Sequence, residues 1–144
     1  MATGDLIVFD EAKAKMLDGD WAASDSFYCA IMTNAVPPTA AFATPVFGDF
    51  TEVNATAAYT ANGTDLGTLA ALVTETGGTM TFDSGTNPTW ASNAGGSTDA
   101  SWAVVYNFTD AGKDALFFVE LGTVSMIAGS LTITWNGTGM WTMA

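Results

Sequence analysis

The chain has 144 residues, 49% of them hydrophobic, with fifteen acidic residues against three lysines and no histidine, giving a formal net charge of −12. That length suits one domain with a core of its own. The charge excludes a nucleic-acid partner, whose phosphates call for Lys and Arg, and the lack of histidine excludes Ser-His-Asp and Cys-His catalysis.

Residues 6–9 (Leu6, Ile7, Val8, Phe9) read as a short strand or an extended lead-in. Asp10 is placed to cap a helix, because its carboxylate can accept a bond from an orphan N–H of the first turn. The run EAKAKMLDG predicts that helix, with Glu11 early, Lys13 and Lys15 later, and Gly19 at its end. Ala12, Met16 and Leu17 are expected to face inward. Residues 1–20 thus make an N-terminal arm and a helix too short to hold in water without packing on a sheet. Asp5 and Asp10 flank the apolar run, so no export signal is expected, and no run reaches the roughly eighteen apolar residues that span a bilayer. The negative charge also disfavours anionic membrane surfaces.

Residues 26–32 (SFYCAIM) predict a strand with Phe27, Cys29 and Ile31 on one face and Tyr28, Ala30 and Met32 on the other. Both faces are apolar, which requires cover on both sides, one of them by the chain itself or by a neighbouring subunit. Cys29 has no second cysteine to pair with and is expected to be a small buried side chain. Residues 33–50 are irregular, since Pro37, Pro38 and Pro45 remove donors and fix φ. Phe42, Val46, Phe47 and Phe50 are apolar for a free loop; they either fold back on the core or mark an interface.

Asn62-Gly63 predicts a turn. Residues 68–75 (TLAALVTE) suit a strand or a brief helix, with strand preferred, and residues 78–83 alternate as a half-buried strand. A loop follows, anchored by Trp90. Residues 101–143 hold four strand-like runs, SWAVVYNF, ALFFVEL, SLTITW and GMWTM, expected to form an antiparallel meander. Its first hairpin would use Gly112 at positive φ and its last would close through NGTG (residues 136–139). The fold expected is mainly β: an antiparallel β-sandwich or jelly-roll-like single domain with a short N-terminal helix.

The chemistry-bearing residues form no recognisable reactive set. The acids are scattered rather than paired as in glycosidases, and Asp18-Gly19-Asp20 resembles the start of a calcium loop that Trp21-Ala22 then breaks. A calcium ion shared between subunits stays open. There is no phosphate-binding glycine loop, and the Asn-x-Ser/Thr matches at Asn54, Asn62, Asn107 and Asn136 read as turn and strand chemistry. The five tryptophans are expected as core and interface anchors. No catalytic residue, metal ligand or cofactor is assigned.

From residue 52 onward the order of features resembles that of a group of small tailed-bacteriophage structural proteins. It runs through E-V-N-A-T-A-A-Y-T-A-N-G-T-D-L-G, G-G-T-M-T-F-D, a Trp after a loop, W-A-V-V-Y-N-F-T-D, L-F-F-V-E-L-G, L-T-I-T-W and G-M-W-T-M. Such proteins tend to open with a short helix like A-K-M-L-D-G at residues 14–19; residues 33–50 lie outside the resemblance. The resemblance implies a virion component with no enzymatic role, either a capsid decoration (cement) protein or a component of the tail or fibre; one compact domain, high negative charge and no fibre repeat favour decoration of the outer head, as a trimer bound to the major capsid protein and made in the host cytoplasm. A tail or tail-fibre component and a host-glycan-binding module are the alternatives. Leu6, Ile7, Val8 and Phe9, with the rest of the arm from Met1, and Pro37, Pro38, Phe42, Pro45, Val46, Phe47 and Phe50 are the expected partner contacts.

Overall fold

The two longest runs of β-branched and aromatic side chains pair with each other. Strands β7 (Ala100–Asn107) and β8 (Ala115–Val124) form an antiparallel hairpin at the centre of the fold, in a computed structural model that describes residues 4–143. On its β7 side lies β2 (Ser26–Met32), followed by β3 (Thr64–Thr68); on its β8 side lies β1 (Leu6–Val8). The result is a five-stranded antiparallel sheet in the order β1-β8-β7-β2-β3.

Register decides which side chains share a face. Tyr28 opposes Tyr106, Ala30 opposes Val104 and Val104 opposes Phe118 on one face, while Cys29 opposes Val105 and Val105 opposes Phe117 on the other. Both faces are covered by the chain itself. On the Phe117 face sits a three-stranded sheet, β10-β5-β4, made of β4 (Val73–Thr76), β5 (Thr79–Phe82) and β10 (Trp141–Met143). Its Phe82, 1% exposed, packs edge-on against Phe27 at 5.6 Å and Phe117 at 5.9 Å. Burying such a ring stabilises the fold by roughly 1.5–3 kcal/mol, so these contacts fasten the layers into a sandwich.

The opposite face is covered by residues 33–50. Phe50 stacks 6.0 Å from Phe9, Phe9 lies 4.9 Å from Phe118, and Phe47 lies 4.5 Å from Tyr106. Backbone bonds hold this cover: Ala115 N–H donates to the Pro45 carbonyl, Phe47 N–H to the Lys113 carbonyl and Asp10 N–H to the Ala40 carbonyl. The apolar residues of the proline-rich segment therefore fold back on the core, and β2 needs no neighbouring subunit to bury its second face.

Helix α1 (Asp10–Asp18) crosses the end of the sheet. Lys15 Nζ meets Asp114 Oδ2 at the start of β8, and Trp21 just beyond the helix packs 5.3 Å from Phe27. Gly19 ends it in the left-handed conformation, φ 75°, as expected. Asp10 is the first helical residue rather than the cap; Phe9 occupies the cap position, without a side-chain bond to the helix. Leu17 does not face inward. It is 74% exposed, whereas Ala12 is buried.

Three further expectations are corrected. Residues 68–75 split into the one-turn helix α2 (Leu69–Leu72) and β4, because Leu69 N–H and Ala70 N–H donate to the carbonyls of Asp25 and Ala23 and turn the chain there. The left-handed residue before β8 is Lys113, φ 53°, not Gly112. The meander stops after its first hairpin: β9 (Leu131–Thr132) pairs with β6 (Thr89–Trp90), and β10 pairs with β5. The NGTG turn forms, with Gly139 N–H donating to the Asn136 carbonyl, but it joins strands of different sheets. Strands divide five, three and two among antiparallel sheets, giving the mainly β single domain with a short N-terminal helix that was expected.

Candidate functional site

The eleven residues singled out as partner contacts divide by burial. Val8, Phe9, Pro38, Pro45 and Phe50 are buried by the chain itself. Leu6, Ile7, Phe42, Val46 and Phe47 are half-buried, and Pro37 is exposed. The arm's first residues, 1–3, lie outside the described residues. Leu6, Ile7 and Val8 form an edge strand, and they line a groove of about 620 Å³ whose other wall is Asn136 and Thr138–Thr142. Thr142 belongs to β10, the edge strand of the second sheet, so two strand edges flank this groove.

All three cations are engaged within the fold. Lys13 pairs with Asp10 at 3.0 Å and Lys15 with Asp114 at 2.5 Å. Lys113 donates to Asn62 Oδ1 at 3.0 Å and stands 4.8 Å from the centre of the Phe108 ring and 5.2 Å from that of Phe47. Asp114 raises the pKa of Lys15, chiefly through the hydrogen bond they share. Fifteen acids against three internally committed lysines leave the exterior strongly acidic.

The interior polar groups tie segments together. Tyr59 Oη accepts from Ile31 N–H at 3.0 Å and donates to Glu52 Oε1 at 2.7 Å, fixing residues 52–62 to β2. Tyr106 donates to the Asn62 carbonyl at 2.8 Å. Burial pushes both phenols and the Cys29 thiol well above their ordinary values, so all three hold their protons at neutral pH. Asp99 goes the other way, lowered by the Ser101 hydroxyl and then by the Asn34 N–H, both of which donate to it. Among the described residues every buried side-chain nitrogen and oxygen has a partner, and no three acids or cysteines converge as a metal site. Asp18 and Asp20 are both exposed.

Met16, Leu17, Trp21, Leu69, Met80 and Met143 line a groove of about 730 Å³ between α1, α2 and the three-stranded sheet. They come from four elements or their flanks, so no local pattern marks them. The nearest signal was Leu17, an apolar residue on a short helix otherwise rich in charge.

The chain matches no protein-family model, no curated protein and no solved structure.

Proposed function

We propose that the protein is a non-enzymatic component of a tailed-bacteriophage virion, a decoration protein that bridges major capsid subunits on the outer head as a trimer. The observation that carries this reading is the ordered series of sequence motifs from residue 52 to the C-terminus and its resemblance to small phage structural proteins. Two physical features support it. The exterior is acidic, with fifteen acids against three lysines that each have a partner within the chain, which suits an outer surface and not a wall facing DNA. The body is a sheet buried on both faces, a form that can bear load without rearranging.

In this reading the work is mechanical. Bridging adds buried area at joints between capsid subunits, and a stable contact of that kind needs about 1,200–2,000 Å². Leu6, Ile7, Pro37, Phe42, Val46 and Phe47 are the members of the original set that retain surface for it. The copy number in purified virions tests the proposal. A decoration protein appears on a stained gel in numbers comparable with the major capsid protein; a trace band assigns it to the tail instead, and no band removes it from the virion.

A further inference from the structure

Among the described residues three large hydrophobic side chains are exposed: Leu17 at 74%, Ile127 at 41% and Met143 at 37%. Leu17 and Met143 line the same groove, beside Met16, Trp21, Leu69 and Met80. Apolar side chains left together in a concave surface mark an interaction site more strongly than the same residues scattered. Three methionines give that wall flexible, polarisable side chains able to mould to a visitor.

The groove's surroundings specify the visitor's charge. Asp18 follows Leu17 and Asp20 precedes Trp21, and both are exposed. Glu75, also exposed, accepts a hydrogen bond from Gly78 N–H on the groove wall. No lysine lines the groove, and Lys15, two residues before Leu17, is held by Asp114. We propose that this groove docks a segment of a partner protein that presents apolar side chains flanked by Lys or Arg. A second copy of the chain is a poor occupant, since it brings another −12 to a site with an acidic rim. An anionic membrane is disfavoured for the same reason. The proposal does not rest on the virion reading, because groove and rim belong to this chain alone.

The test is a titration of the protein carrying ¹³C-methyl methionine. The probe is a designed amphipathic peptide with leucines along one face and lysines on the other; a matched peptide carries glutamate for lysine. The expected result is saturable shifts of the Met16, Met80 and Met143 methyls with the basic peptide and none with the acidic one. Leu17→Lys is expected to weaken binding by about tenfold or more, with thermal unfolding unchanged because the side chain is exposed. Met143→Lys provides the same check at the opposite wall. Absent shifts, equal shifts with both peptides, or binding indifferent to both substitutions overturn the proposal. Shifts of these methyls with protein concentration alone assign the groove to a second copy and also overturn it. None of these outcomes bears on the copy number in virions.

Discussion

Gly63 is pressed against the backbone of Cys29. A Cβ built on Gly63 would fall inside the 3.0 Å that real Cβ atoms essentially never enter, with the Cys29 carbonyl oxygen and the Ala30 Cα both in its way. The residue also sits at φ 82°. Gly63→Ala is therefore expected to cost roughly 2–5 kcal/mol, combining the left-handed penalty with overpacking against a rigid strand. Gly77 has φ 61° but open space around it, so Gly77→Ala should cost only about 1–2 kcal/mol. Urea unfolding of the two variants separates close approach from backbone conformation; equal losses would refute the packing argument.

Lys15 and Asp114 fasten α1 to the start of β8. Replacing Lys15 by Met keeps much of the apolar stem but leaves the Asp114 carboxylate with the Trp21 indole N–H at 3.4 Å. The expected loss at neutral pH is about 1–3 kcal/mol. Because the folded pKa of Lys15 is raised above 10.5, its contribution is fully present below that pH and is lost as pH rises through the folded value. The gap between wild type and Lys15→Met should accordingly narrow in strongly alkaline buffer. A gap that stays constant there would argue that the lysine acts through packing alone.

Tyr59 bridges β2 and the segment that follows the proline-rich cover. Tyr59→Phe removes a bond at each end, leaving the Ile31 N–H without its acceptor. A loss of about 1–3 kcal/mol is expected, visible in thermal or urea unfolding. A neutral substitution would show that water replaces the hydroxyl.

Tyr59 and Tyr106 also make the fold sensitive to alkali. Burial raises both pKa values above 10.0, so above that pH the unfolded chain loses these protons first and stability falls as pH rises. Their tyrosinate absorbance should appear together with loss of the sheet's circular dichroism. Ionisation of either phenol in a chain that remains folded would contradict its burial.

At the acid end, Asp99 organises the start of residues 33–50. It accepts the Asn34 N–H at 3.1 Å, while Asn34 Oδ1 accepts the Trp102 indole N–H at 3.1 Å. Its folded pKa lies below 3.8, so the contact persists above that pH and is released as pH falls through the lowered value. Asp99→Ala should speed amide exchange at Asn34 while leaving exchange in β7 unchanged. Uniform acceleration across the sheet would mean that Asp99 acts globally.

Strands β2, β7 and β8 were legible because their apolar runs are continuous, and Gly19 marked the end of α1 by its chemistry. β3 was not legible: TDLGT carries Asp and Gly with only Leu66 buried, a weak pattern for an edge strand. The runs at residues 130–135 and 139–143 read as strand-like, of which Leu131–Thr132 and Trp141–Met143 are strands, but their partners could not be named. Those were set by Trp90, which Leu131 pairs against, and by Phe82, which Trp141 pairs against. The proposed contact residues were chosen for apolarity in the N-terminal arm and in the irregular proline-rich segment. That apolarity is explained for Phe9, Pro38, Pro45 and Phe50 by burial inside the chain. Leu17, read as a core residue, proved to be surface because α1 offers the sheet end Ala12 and Lys15 instead.

The distant pairing of the outer strands sets the order of assembly. β4 and β5 can meet as soon as both are synthesised, but Phe82 waits for its second neighbour until Trp141 has emerged, and Leu6 waits for Val119. Closures across such long stretches of chain are slow. A nascent chain therefore spends its synthesis with apolar strand edges uncovered, and the mutual repulsion of its acids keeps such half-built copies apart until the last strand arrives.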